Sequence, residues 1–138
     1  LSEAPEHPPV GKTFRFPDGY YACRIDWAGS PPKSPFAILT AWNPMDSRRS
    51  DSWNRMADRH LHHLLVRAGA EPVRATTCAM DGSHAEPGWA VALPLDTVLR
   101  IARRFHQRAI WWSDACQLHL VACSDGHRET VGPALPGN

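Results

Sequence analysis

No stretch of the 138-residue chain approaches the ~20 consecutive apolar residues of a membrane-spanning helix. Leu1–Val10 also lacks the apolar centre of a secretory signal, so the expectation is a cytoplasmic protein. Charge of one sign is missing as well: 15 Lys and Arg stand against 14 Asp and Glu, for a net charge of +1. That balance supplies no general pull toward phosphate backbones or anionic lipid, and strong non-specific nucleic-acid binding is not expected. There is no G-x-x-x-x-G-K-[ST], no glycine-rich dinucleotide loop and no G-x-S-x-G, so nothing names a cofactor or a nucleophile. Cys23, Cys78, Cys116 and Cys123 form no C-x-x-C pair, and three of them lie in strand-like runs; free thiols in a reducing compartment are expected rather than disulfides. His60, His62 and His63 do not share one helical angle and no H-E-x-x-H occurs, so no metal site is expected.

What is present is an ordinary globular composition, 43% hydrophobic and 21% charged, in a length that suits one domain. Residues 1–12 are polar and proline-bearing, and 125–138 close with Pro133, Pro136 and Gly137; both segments are expected to be tails. Thr13–Phe16 and Tyr20–Trp27 flank Pro17-Asp18-Gly19, so 13–35 is expected to be a β-hairpin followed by a proline-rich linker. The run from Phe36 to Trp42 is continuously apolar and halts at Asn43-Pro44, as a strand buried on both faces would.

A helix follows, with Ser50 or Asp51 as its cap. Trp53, Met56, Ala57, His60, Leu61, Leu64, Leu65 and Ala68 form its expected buried face, and Gly69 stands at its left-handed end. Val73–Met80 and Trp89–Leu93 flank the turn cluster Asp81–Ala85. Asp96 is the expected cap of a second helix carrying Val98, Leu99, Ala102 and Phe105. Ala109–Trp112 begins a last strand, which Cys116–Cys123 either continues past a bulge or pairs with as a hairpin. The order β–α–β–β–α–β over 36–124 predicts an α+β domain of ferredoxin-like type, an antiparallel sheet with two helices on one face.

Thr40-Ala41-Trp42-Asn43-Pro44, Asn54, Glu86-Pro87 and Phe105-His106-Gln107-Arg108-Ala109-Ile110 occur in an order that resembles the bacterial family called domain of unknown function 3293. The resemblance covers roughly Phe36 to Trp112. It departs from the family pattern at Gly88, where Ser is usual, and at His106, where Gly is usual. It implies a shared fold and no particular activity.

The expected topology brings Asn43, the loop Asp46–Ser50, the hairpin Asp81–Glu86 and Gln107 to one end of the sheet, with Asn54 one turn below. Asn43, Asn54, Glu86 and Gln107 are therefore the expected lining of a ligand-binding rim, since amides offer both donor and acceptor. The competing expectation is that the amides tie loop backbone together. His84 beside Glu86 is the candidate acid–base pair for a small enzyme. Trp42 and Trp89, on expected central strands, are the candidates for stacking single-stranded RNA or for covering by a second copy in a homodimer. The leading expectation is a non-enzymatic module that binds a small polar ligand or a protein partner.

Overall fold

Phe36-Ala37-Ile38-Leu39 is buried along its whole length, as a run with no polar member requires, and it forms the middle strand of the sheet. The computed structural model describes Phe16, Tyr20 and residues 23–135. In chain order these hold β1 (Cys23–Trp27), β2 (Phe36–Leu39), a single 3₁₀ turn (Pro44–Asp46), α1 (Asp51–Arg67), β3 (Val73–Ala79) and β4 (Ala85–Val91). After them come α2 (Leu95–Arg104), β5 (Ala109–Ser113), β6 (Gln117–Ala122) and β7 (Arg128–Pro133). The strands make one antiparallel sheet in the order β1-β3-β4-β2-β5-β6-β7.

The protein is α+β, but the expected four-stranded ferredoxin-like sheet is overturned. The strands around β2 stand as β3-β4-β2-β5, yet the sheet runs on to β1 on one side and to β6 and β7 on the other, and it curls. In a flat sheet six spacings would separate β1 from β7 by roughly 29 Å. Here Trp27 of β1 and Leu135, just past β7, pack on one cluster made by Phe36, Ile38, Ala75 and Ala90. The Trp27 and Phe36 rings meet edge to face at 5.8 Å, although three spacings separate their strands.

Period-two alternation divides the apolar residues between the faces. Ala37, Leu39, Val91, Ile110 and Val121 pack against Leu61 and Leu65 of α1 and Val98, Leu99 and Ala102 of α2, forming the main core. On the other, concave face, Phe16 joins Ala109, Leu120 and Ala122, beside the Phe36 cluster.

Other expectations need correction. β1 pairs with β3 as an edge strand; the proposed partner limb at 13–15 and turn at 17–19 lie outside the described residues, as does the tail expected at 1–12. Residues 128–133, expected within a tail, are β7, paired with β6. β6 folds back on β5 as a hairpin: Asp114 Oδ1 accepts the N–H groups of Cys116 and Gln117, and its Oδ2 meets His119 Nε2 at 2.9 Å. The His119 contact, then the two backbone donors, hold the Asp114 carboxyl down to about 2.

Ser50 caps α1, accepting from the Trp53 N–H at 3.2 Å, and Gly69 follows the helix at φ 96°. The buried face of α1 is Asn54, Asp58, Leu61 and Leu65, while Trp53 and Met56 are exposed at 43% and 65%. α2 starts at Leu95 after Pro94, and Asp96 falls in its first turn rather than at the cap. None of the four cysteines is in a disulfide. No helix among the described residues is long and apolar enough to cross a membrane.

Candidate functional site

The end of β2 cannot continue its ladder past Asn43-Pro44, and the chain there enters a tight, strained loop. Asn43, Met45 and Asp46 all have left-handed backbones, at φ 46°, 49° and 62°. Each non-glycine residue held so costs ~1–3 kcal/mol, so the surroundings must over-determine the loop. They do. The Met45 N–H donates to the carbonyl of His106 at 2.7 Å, and His106 is itself left-handed at φ 55°.

Asn54 supplies the other restraint. It is 1% exposed on the inner face of α1, where its Oδ1 accepts the Asn43 backbone N–H at 3.0 Å. Its Nδ2 donates to Asn43 Oδ1 at 3.0 Å and to the Arg49 carbonyl at 3.3 Å. Asn43 Oδ1 also accepts the Arg49 N–H at 3.0 Å, and Asn43 Nδ2 donates to Glu86 Oε2 at 3.2 Å. That same carboxylate oxygen lies 2.9 Å from His84 Nε2. Gln107, 8% exposed, donates through Nε2 to the carbonyls of Trp42 and Phe105, both at 3.2 Å.

The residues expected at the rim are thus brought together, but they divide by role. Asn54 binds loop backbone and Asn43, while Asn43 binds loop backbone and also holds Glu86. Glu86, His84 and Gln107 line a cavity of about 400 Å³ that opens on the concave face of the sheet. Its walls are the concave-face residues of β2, β5 and β3, chiefly Ile38, Ala109, Trp111 and Thr77. Gly88 floors it where β4 passes closest to β2: a Cβ there would lie 2.6 Å from the Leu39 carbonyl oxygen. Thr40 extends that contact by donating its hydroxyl to the Pro87 carbonyl at 2.7 Å.

Sequence reasoning missed Tyr20 and Cys23 in the wall. The Tyr20 hydroxyl donates to Asp46 Oδ1 at 2.7 Å, and Arg108 Nε binds Asp46 Oδ2 at 2.6 Å. Burial, then the Asp46 hydrogen bond and charge, push the Tyr20 hydroxyl well above its ordinary range, so it stays a neutral donor. Cys23 also lines the cavity; burial and the nearby Glu86 charge raise its thiol, which opposes thiolate formation. Asp46 lay in a loop expected at this rim, whereas nothing in the local pattern marks Tyr20 or Cys23.

The other candidates sit elsewhere. Trp89 points to the helix side, with the Arg74 guanidinium 3.7 Å from its ring centroid and the His62 ring tilted against it at 4.5 Å. The indole N–H groups of Trp42 and Trp89 are buried with no hydrogen-bond partner among the described residues. His60 packs edge-on to Phe105 at 5.3 Å, away from His62. Among the described residues, no three His, Cys, Asp or Glu side chains gather as metal ligands would.

No curated protein and no solved structure matches the chain. A family model does: DUF3293, described as a protein of unknown function, matches residues 39–110. The matched segment runs from the last residue of β2 into β5, and so takes in Asn43, Asn54, His84, Glu86 and Gln107 together with both helices. Carrying that match over more than half its length, the chain belongs to the DUF3293 family.

Proposed function

We propose that this protein is a small-ligand-binding module whose ligand occupies the concave-face cavity. One observation carries the reading: Gln107 is more than nine-tenths buried, turns its amide nitrogen onto two carbonyls, and has no donor for its Oε1 among the described residues. That oxygen is not sealed from solvent, and Gln107 lines the cavity, so a ligand entering there meets an acceptor that no described protein donor uses. The size supports the same reading, since small-molecule sites span about 300–1,000 Å³ and combine apolar walls with a few fixed polar groups.

A second reading, a small enzyme, is favoured by the 2.9 Å contact of His84 and Glu86 at the same cavity. Asn43 orients the Glu86 carboxylate from behind, as an acid–base group needs.

A thermal-shift screen against a metabolite and nucleotide library tests both, with Thr77→Trp as the comparison. Thr77 stands beside Glu86 across the β3–β4 ladder and lines the cavity, so an indole there fills the space without removing a hydrogen bond described here. Ligand at about a hundred times its dissociation constant adds ~2.7 kcal/mol of stability. Hits present in the wild type and lost in Thr77→Trp support the cavity; hits that survive the filling sink it. Mass spectrometry of each hit after incubation separates the readings: an unchanged ligand supports a module, and a product that disappears in His84→Gln supports the enzyme.

A further inference from the structure

The polar groups of the cavity are unbalanced in a way that specifies its ligand. Two carboxylates, Asp46 and Glu86, are among the described lining residues, and no lysine or arginine is. Arg108 reaches Asp46 but does not line the cavity. Three of the side-chain donors are committed to protein: the Tyr20 hydroxyl to Asp46, the Thr40 hydroxyl to Pro87, the Gln107 amide to Trp42 and Phe105.

Acceptors are left over. Glu86 uses Oε2 for both Asn43 and His84, so its Oε1 accepts nothing among the described residues, and Gln107 Oε1 is equally open. A ligand that completes this set must bring donors, and beside carboxylates a charged N–H bonds more strongly than a neutral O–H. An anion would meet two carboxylates with His84 as the one cationic side chain available, and that imidazole already faces Glu86. The remaining wall is apolar and includes the half-buried Trp111, a surface suited to a flat hydrocarbon body or to a cation over its ring.

Resting on the cavity reading above, we infer that the ligand is a small organic cation, an N–H-rich ammonium or amidinium group on an apolar body. Its charged head pairs with Glu86 Oε1 and Gln107 Oε1, and its body lies against Ile38, Ala109 and Trp111. Glu86 binds by charge, and Gln107 adds an amide acceptor whose hydrogen bond an ionised donor strengthens.

Three probes of matched shape test this by calorimetry and thermal shift at neutral pH: 2-phenylethylamine, 2-phenylethanol and 3-phenylpropanoate. The amine is expected to bind and stabilise the wild type, the alcohol and the acid not. Glu86→Gln keeps an oxygen for the Asn43 amide and should fold, yet should bind the amine roughly tenfold or more weakly, the value of one charge-assisted hydrogen bond. The wild-type comparison needs no variant, so a poorly folded Glu86→Gln leaves the inference open to refutation. Equal binding of alcohol or acid overturns it, as does amine binding unchanged in a folded Glu86→Gln, and so does silence from all three probes. None of these results overturns the cavity itself, which stands or falls on whether library hits are lost in Thr77→Trp.

Discussion

Asn54 shows at the scale of one residue how a buried amide is used when the backbone beside it cannot help itself. Left-handed geometry at Asn43 turns that residue's N–H away from any ladder, and Asn54 Oδ1 is its acceptor. Nδ2 returns the bond to Asn43 Oδ1 and holds the Arg49 carbonyl. Asn54→Ala is therefore expected to cost about 2–4 kcal/mol, from orphaned polar groups and a small void. Asn54→Asp should cost a comparable amount, since a carboxylate still accepts from the N–H but sets an oxygen against Asn43 Oδ1. Urea unfolding measures both, and an Asn54→Ala protein within about 0.5 kcal/mol of wild type would show the node to be decorative. That Asn43, Asn54, Glu86 and Gln107 come together was legible, because the inner strands β3-β4-β2-β5 and the two helices hold them in the expected chain order. Their division into clamp and lining was not, because it depends on which oxygen of which amide meets which backbone group.

Helix α1 was legible as an element and misread as a face. Its buried positions 54, 58, 61 and 65 keep helical spacing, but the first two are Asn and Asp, so an apolar-periodicity reading slides to Trp53, Met56 and His60. The second polar member has its own partner. Asp58 receives Arg74 of β3 through two nitrogens at 2.7 and 2.9 Å, and that guanidinium sits 3.7 Å from the ring centroid of Trp89 of β4. Side-chain exposures of 11% for Asp58 and 30% for Arg74 place the pair well inside the surface layer. Through it one helix face is pinned to two adjacent strands, opposite the cavity floor. Removing one partner leaves the other charge poorly solvated, so Asp58→Leu or Arg74→Met alone should each cost about 2–3 kcal/mol. The double variant Asp58→Leu/Arg74→Met should cost clearly less than the sum of singles, with a coupling of ~1–2 kcal/mol by chemical denaturation. Simple additivity would mean that the stacking on Trp89, not the ion pair, fixes the helix.

For the whole molecule, the inner strands and both helices could be placed from apolar runs and caps, but the extent of the sheet could not. Edge strands explain the difference. β7 reads Arg-Glu-Thr-Val-Gly-Pro, with glycine and proline that would argue against a central strand. At an edge, proline's missing donor is harmless on the outward side, and a short charged strand blocks further pairing. β1 is built alike: Arg24 and Asp26 point outward and bind each other at 3.2 Å, while Ile25 and Trp27 turn inward. The C-terminal residues then complete the curl, for Val131 packs against the Phe16 cluster, Leu135 packs against the Phe36 cluster, and the Leu135 N–H donates to Ser113 Oγ at 2.9 Å. A chain ended at His127 would lose β7, leave the backbone of β6 unpaired along one side, and expose apolar surface on the concave face that holds the cavity. It is expected to melt at a markedly lower temperature and to aggregate through the bared edge of β6, whereas Val131→Thr, which spares the ladder, should lower stability by only about 1 kcal/mol. Calorimetry with light scattering distinguishes the two. A truncated chain that melts cooperatively at the wild-type temperature would mean that the sheet closes its concave face without β7, and the cavity would then owe nothing to the curl.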